Sequence, residues 1–251
     1  MKIILEIITA VYAVMVYGTI INMYRQKQKS YLIFKTFTSL IFILMAATAF
    51  RISGSEFFAA FLPAYFFCLV GDVMLALAHE IDNKLRNPQF TIGVGAFAIA
   101  HLFFIVRIQP CMFSGVSIGG IIVSLLMGTY TFLTTRSTAF DYGSNKIPSI
   151  LYSLIVGFLG GMGIELLVGA VMEGLGSPAY VLMALGMVFF MASDFILANK
   201  YFRKERKSWY GASVLVFYYG GMGLLAAFTA FLQKEKYKNI GKKREKTDEN
   251  K

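Results

Sequence analysis

The chain reads as a succession of long apolar runs separated by short polar breaks. Runs long enough to cross a hydrocarbon core of ~30 Å, which takes about 20 residues of helix, fall near residues 3–24, 31–49, 57–79, 91–107, 113–133, 148–171, 178–199 and 209–232. The pattern predicts an all-α, polytopic transmembrane helix bundle of about eight spans over residues 1–232, followed by a basic polar tail, 233–251, expected to be disordered. The fourth and fifth runs, joined by the tight "RIQPCMFSG", are the least clearly separated. Pro148 and Pro178 fall at the starts of the sixth and seventh, where a missing amide hydrogen does no harm. The longest interior break, 134–147, is too short to fold alone, so any function lies within the bundle.

Composition agrees with this reading. Of 251 residues, 57% are hydrophobic and only 15% charged, which excludes a soluble domain. The expected location is an integral, multi-pass position in the plasma membrane. The apolar N-terminal stretch is too long for a signal peptide and has no convincing cleavage site, so it is read as the first span. The net charge of +10 is concentrated in "KYFRKERK", 200–207, and in the tail. In a membrane protein such clusters speak of topology and anionic headgroups, and nothing resembling a nucleic-acid module accompanies them. Basic residues do not choose between the two orientations: twelve lie in the odd-numbered loops and eleven on the opposite side, tail included. Cys68 and Cys111 have a spacing that suits neither a disulfide framework nor a metal site.

Against this background two aspartates stand out. Asp72 in "LVGDVMLALAHE" and Asp194 in "MVFFMASDFILANKYF" each interrupt an apolar run, where an ionised carboxylate costs roughly 2.5–3.5 kcal/mol even on lenient insertion scales. Counted from the ends of their spans at ~1.5 Å per residue, both lie about 10 Å below the same surface. Lys35 enters from that surface, Tyr152 and Ser153 lie in the same half, and His101, Tyr218 and Tyr219 come nearer the midplane. A polar cavity opening toward the odd loops would gather them all. Taken singly, Lys35 can be read as snorkelling to the headgroups and His101 as a hydrogen-bonded core histidine. His79 and Glu80 sit at a span end, where interfacial solvation explains them. Glu165 falls in the opposite half and Glu6 near the other end of its span, so neither joins the cluster. The glycines of "GFLGGMG" and "GGMG" are expected to allow close helix approach, and Trp209, Tyr201 and Tyr24 to form an aromatic belt.

Sliding the chain against itself by 122 residues places Asp72 on Asp194, Phe67 on Phe189, Leu75 on Leu197 and Ala76 on Ala198. A parallel four-plus-four repeat would make the third and seventh spans equivalent. The pieces "FKTF" at Lys35, "GDVML" at Asp72, "AHLFF" at His101, "YSLIVGF" at Tyr152, "FFMASDFILANKYF" at Ser193 and Asp194, and "FYYGGMGLLA" at Tyr218 and Tyr219 resemble, in content and order, the YhhN family of lysoplasmalogenase-like membrane proteins. The chain departs from the family pattern after the paired tyrosines, with Gly221 in place of an alanine and Met222 in place of a glutamine, a change that bears on headgroup or substrate preference. The resemblance implies eight spans and hydrolysis of the vinyl ether bond of a lysoplasmalogen, to a fatty aldehyde and a glycerophospho-alcohol.

That chemistry suits the residues. Protonation of the vinyl β-carbon gives an oxocarbenium ion, water adds, and the hemiacetal collapses. A protonated carboxyl as general acid and an ionised one to stabilise the cation or activate water meet both needs, as in glycosidases. The expectation is that Asp72 and Asp194 are catalytic, in an order the sequence leaves open. Lys35 would pair with one of them or meet the lysolipid phosphate, with a slight preference for the phosphate. His101, Tyr152, Ser193, Tyr218 and Tyr219 would bind and orient substrate. No cofactor or metal is called for, and the partners are the lysophospholipid substrate and membrane lipids. The rival reading is a proton- or cation-coupled transporter using the same acids. A hydrolase of some other lipid ether or ester is a third, although no Gly-x-Ser-x-Gly elbow or metal-spaced histidine cluster is present.

Overall fold

The structure, a computed structural model, describes residues 2–53, 57–78, 88–112, 115–172, 177–205 and 207–231. His79, Glu80 and the basic tail lie outside them. The apolar runs form α1 (Lys2–Tyr24), α2 (Gln28–Ser53), α3 (Phe57–Ala78), α4 (Pro88–Ile108), α5 (Ile118–Thr134), α6 (Lys146–Met172), α7 (Pro178–Phe202) and α8 (Tyr210–Ala227). Seven of these helices are long and apolar enough to cross a membrane. The other, α5, has 17 residues, a rise of about 25 Å. It starts later than the apolar run suggests because Ser117 is extended and its side chain accepts a hydrogen bond from the Gly120 amide at 2.9 Å, capping the helix there. Between α1 and α2 the chain reverses through Gln26, whose positive φ of 53° ends α1.

Consecutive helices pack as the hairpins α1–α2, α3–α4, α5–α6 and α7–α8, with α2 against α3 and α6 against α7. Three long-range helix contacts close the bundle, α2 with α8, α4 with α6 and α1 with α8. Advancing every label by four turns the first of these into the second and maps the hairpins onto one another. The echo seen over one helix thus extends to the packing of both halves.

Small residues bring the helices close enough for this. A Cβ on Gly161 of α6 would run into the backbone of Gly119 in α5, and one on Gly221 of α8 would stand 2.8 Å from the carbonyl oxygen of Gly186 in α7. The core between them is aromatic: Phe61 lies 5.6 Å from both Phe104 and Phe228, centroid to centroid, and Tyr65 donates its phenol hydrogen to the Leu225 carbonyl at 2.6 Å. Cys68 is buried and free.

On the side where α7 ends, the α5–α6 connection docks on the α7–α8 connection. The Asp141 amide donates to the Phe202 carbonyl at 2.7 Å, the Lys204 amide to the Ala139 carbonyl at 3.0 Å, and the Tyr142 ring stacks on Phe202 at 4.2 Å. Burial raises the pKa of the Tyr142 phenol, an effect its hydrogen bond to Thr134 opposes. This clamp ties the sixth and seventh helices together next to Asp194.

Candidate functional site: two buried aspartates on one cavity

Asp72 is fully buried, and three side chains meet its carboxyl. Ser39 Oγ donates to Oδ2 at 2.6 Å, Tyr218 OH to the same oxygen at 2.7 Å, and Lys35 Nζ lies 3.2 Å from Oδ1. Lys35 and Ser39 stand four residues apart on α2, so they project from one face. Lys35 can only donate, whereas the two hydroxyls can donate or accept, and the Ser39 hydroxyl also lies 3.0 Å from the Lys35 carbonyl oxygen. Lys35 is itself only 6% exposed, and a helix behind it fixes its position. Tyr219 OH donates to the Lys35 carbonyl at 3.3 Å, and Tyr12 OH donates to the Tyr219 carbonyl at 2.6 Å. Gly71 makes room for α4 here, because any side chain on it would collide with the Phe97 ring.

Asp194, 6% exposed, has a different set of neighbours. Tyr152 OH donates to Oδ2 at 2.9 Å, and His101 Nε2 lies 3.2 Å from the same oxygen. His101 is fully buried, and its Nδ1 is 2.6 Å from the Phe97 carbonyl oxygen. A carbonyl only accepts, so Nδ1 carries a hydrogen and the second imidazole nitrogen is the one that faces the carboxyl. The Nε2 approach is close but not aligned as a linear hydrogen bond.

The two clusters are related by the repeat. Asp72 on α3 is held by α2 and α8; Asp194 on α7 is held by α6 and α4. Each aspartate is held by the helix before its own, which gives Asp72 two partners and Asp194 one, and by one residue from the other half of the bundle. The equivalent positions carry different chemistry, an ammonium and two hydroxyls on one side, an imidazole and a phenol on the other.

Two cavities meet at Asp194. A small one of about 30 Å³ has Lys35, Asp72, Ser193, Asp194, Lys200 and Tyr218 in its wall, room for about two waters. A larger one of about 280 Å³ opens between α4, α5, α6 and α7 and is walled mainly by apolar groups such as Val94, Ala98, Met127 and Ile155. Asp194, Leu197 and Tyr201 line both.

Of the residues singled out from sequence, Lys35, Asp72, Ser193, Asp194 and Tyr218 line the small cavity, and Tyr152 lines the large one while bonding Asp194. His101 and Tyr219 line neither; they stand behind Asp194 and Lys35 and position them. Ser193 donates its hydroxyl hydrogen to the Val214 carbonyl at 3.0 Å. The slight preference for Lys35 as a phosphate ligand is not what the structure favours, since its ammonium is engaged with Asp72. Tyr201, expected in an aromatic belt, instead borders both cavities and packs edge-on against Phe90 at 4.9 Å. Ser39 was not anticipated, although its place one helical turn from Lys35 carries the signal. Glu165 lies apart, accepting from Ser117 Oγ at 2.7 Å and the Gly119 amide at 2.8 Å.

The fold and this cluster define a polytopic helical membrane protein with a pair of acids in its core. The YhhN family model matches residues 30–229, and the chain belongs to that family. No curated protein matches the chain, and no solved structure does.

Proposed function

We propose that the protein is a membrane-embedded lysoplasmalogenase-like hydrolase that cleaves the vinyl ether bond of a lysoplasmalogen by acid catalysis, with Asp194 as the acid. The observation that carries the reading is that two buried carboxyls border one small cavity with opposite partners. Asp72 has the Lys35 ammonium and the Ser39 and Tyr218 hydroxyls around it; Asp194 faces the His101 imidazole and the Tyr152 hydroxyl and borders the apolar space a fatty chain needs. Family membership supplies the reaction class.

The steps follow from this division. The Asp194 carboxyl, positioned by His101 and Tyr152, gives its proton to the vinyl β-carbon, and the C=C electron pair forms the new C–H bond. The α-carbon and ether oxygen then share a positive charge next to two carboxylates, which stabilise it in a site of low dielectric. Asp72 supports this charge without moving, since its three neighbours, Lys35, Ser39 and Tyr218, are already oriented. A water, for which the small cavity has room, adds to the α-carbon and returns its proton to Asp194. The hemiacetal collapses to aldehyde and alcohol, so the proton is used and restored in each turnover.

The test is turnover by the purified protein. It is expected to cleave a lysoplasmalogen and to spare the saturated ether analogue, which has no double bond to protonate. Asp72→Asn and Asp194→Asn are each expected to abolish cleavage while the protein still folds. Activity retained in either variant refutes the paired-acid mechanism. Absence of turnover on any vinyl ether, together with proton-dependent uptake into liposomes, would replace the hydrolase by a transporter that uses the same acids.

A further inference from the structure

The larger cavity reaches the outside of the bundle. Thr91 and Gly95 of α4 and Pro148 and Leu151 of α6 line it and are also exposed on the outer face, Leu151 by 57%. Each pair lies on one stripe of its helix, continued inward by Ala98 on α4 and Ile155 on α6. Gly95 widens the gap, since a Cβ there would meet nothing within 4 Å. Between α5 and α7 the cavity is shut: the Tyr130 and Phe195 rings pack 5.1 Å apart, and Tyr130 OH donates to Asn199 Oδ1 at 3.4 Å. The opening therefore lies between α4 and α6. Both helices start at the surface where α7 ends, because Phe90 packs on Tyr201 and the Asp141 amide donates to the Phe202 carbonyl. Gly95 lies seven residues into α4, Leu151 five into α6 and Asp194 eight before the end of α7, about 10, 8 and 12 Å below that surface at ~1.5 Å per residue. An opening at this depth faces hydrocarbon and not water.

We infer that the lysolipid enters sideways from the bilayer, through the opening between α4 and α6, and lies in the larger cavity in the orientation it has in its leaflet, with its ether bond at Asp194. The inference rests on the hydrolase reading for the identity of the lipid and extends it to the route. The cavity wall is graded as a lipid is: Thr91 and Ser149 stand at its outer end, Ala98, Ile155 and Val156 at its inner end, and Asp194 between them. A lipid can therefore slide in at constant depth, its polar end outward and its chain toward the midplane. A volume of about 280 Å³ is at the small end for ligand cavities, which suits one chain better than two, and the end of a long chain can pass back out through the opening. The small cavity, with room for about two waters, is left to the water that adds.

The experiment uses the full-length protein in phospholipid nanodiscs and narrows the opening from its rim. Leu151→Trp is expected to lower kcat/KM for a long-chain 1-alkenyl-glycerophosphoethanolamine about tenfold relative to that for a water-soluble, short-chain vinyl ether, the scale of overpacking at a close-fitting wall. Leu151→Ala, which widens the opening, should show no such fall, and neither should Val106→Trp, on the exposed surface of α4 away from the cavity. Equal changes for the two substrates in Leu151→Trp, or none, would overturn the route. Photolabelling tests it without turnover: a saturated ether lysophospholipid with a diazirine on its chain should label the stripe of Thr91, Gly95 and Ala98, and the unmodified analogue should compete. Labelling that is not competed, or that is confined to outward residues such as Val106, overturns the route whether or not cleavage occurs. Equal competition by a diacyl phospholipid would overturn the assignment to a single-chain lipid. Competed labelling with no turnover on any vinyl ether would keep the route and remove the hydrolase reading.

Discussion

His101 Nδ1 lies 2.6 Å from the Phe97 carbonyl while its Nε2 lies 3.2 Å from Asp194 Oδ2, so the ring's second nitrogen is the one set against the carboxyl. Replacing His101 with Gln keeps a donor to the Phe97 carbonyl but removes the second base. The expected result is a fall in kcat within the roughly 10²–10⁴-fold range of general acid–base groups. An unchanged kcat would mean that His101 does not act through Asp194.

The Lys35–Asp72 pair makes a prediction about stability. Lys35→Met leaves a fully buried carboxylate without its counter-charge, a change that costs about 3–5 kcal/mol in comparable buried pairs. The double variant Lys35→Met with Asp72→Asn removes both charges and should recover much of the loss. Thermal unfolding in detergent distinguishes this from simple loss of packing, in which case the double variant would be no more stable than the single one.

Glu165 offers a contrast with the two aspartates. It accepts hydrogen bonds from Ser117 and Gly119 at the start of α5, away from both cavities. Glu165→Ala should lower stability by about 1–3 kcal/mol, the cost of leaving buried donors without an acceptor. Cleavage by the protein that remains folded should keep its kcat, measured under conditions below the unfolding transition.

Two glycines separate packing from access. Gly161→Ala forces a methyl group against the Gly119 backbone and should cost about 1–3 kcal/mol through overpacking, seen as a lower melting temperature. A Cβ on Gly95 would meet nothing within 4 Å, yet this glycine borders the larger cavity. Gly95→Phe should leave stability nearly intact and impair turnover of long-chain substrates more than short-chain ones. Equal effects on all chain lengths would show that the cavity does not hold the chain.

Much of this site is legible in the sequence because the membrane sets a strict filter. Charged groups are so costly in hydrocarbon that Asp72, Asp194 and Lys35 identify themselves, and counting rise per residue puts them in one half of the bundle. The same count cannot give rotation about each helix axis. Tyr218 and Tyr219 are neighbours in sequence, but one reaches Asp72 and the other the Lys35 carbonyl. Lys200 was counted with the basic loop because it sits at a span end, and only the packing of α7 on α8 brings it to the cavity.

By itself the sequence determined the eight apolar helices, the acids within them and the order of motifs that marks the family, because these depend on length, hydrophobicity and spacing along one chain. Which partners each aspartate keeps was decided by tertiary structure alone. The close crossings of α2 with α8 and of α4 with α6 bring an ammonium and hydroxyls to Asp72 and an imidazole to Asp194. Where water is scarce, the protonation of a carboxyl depends on its few nearest donors and acceptors, and those come from helices distant in sequence.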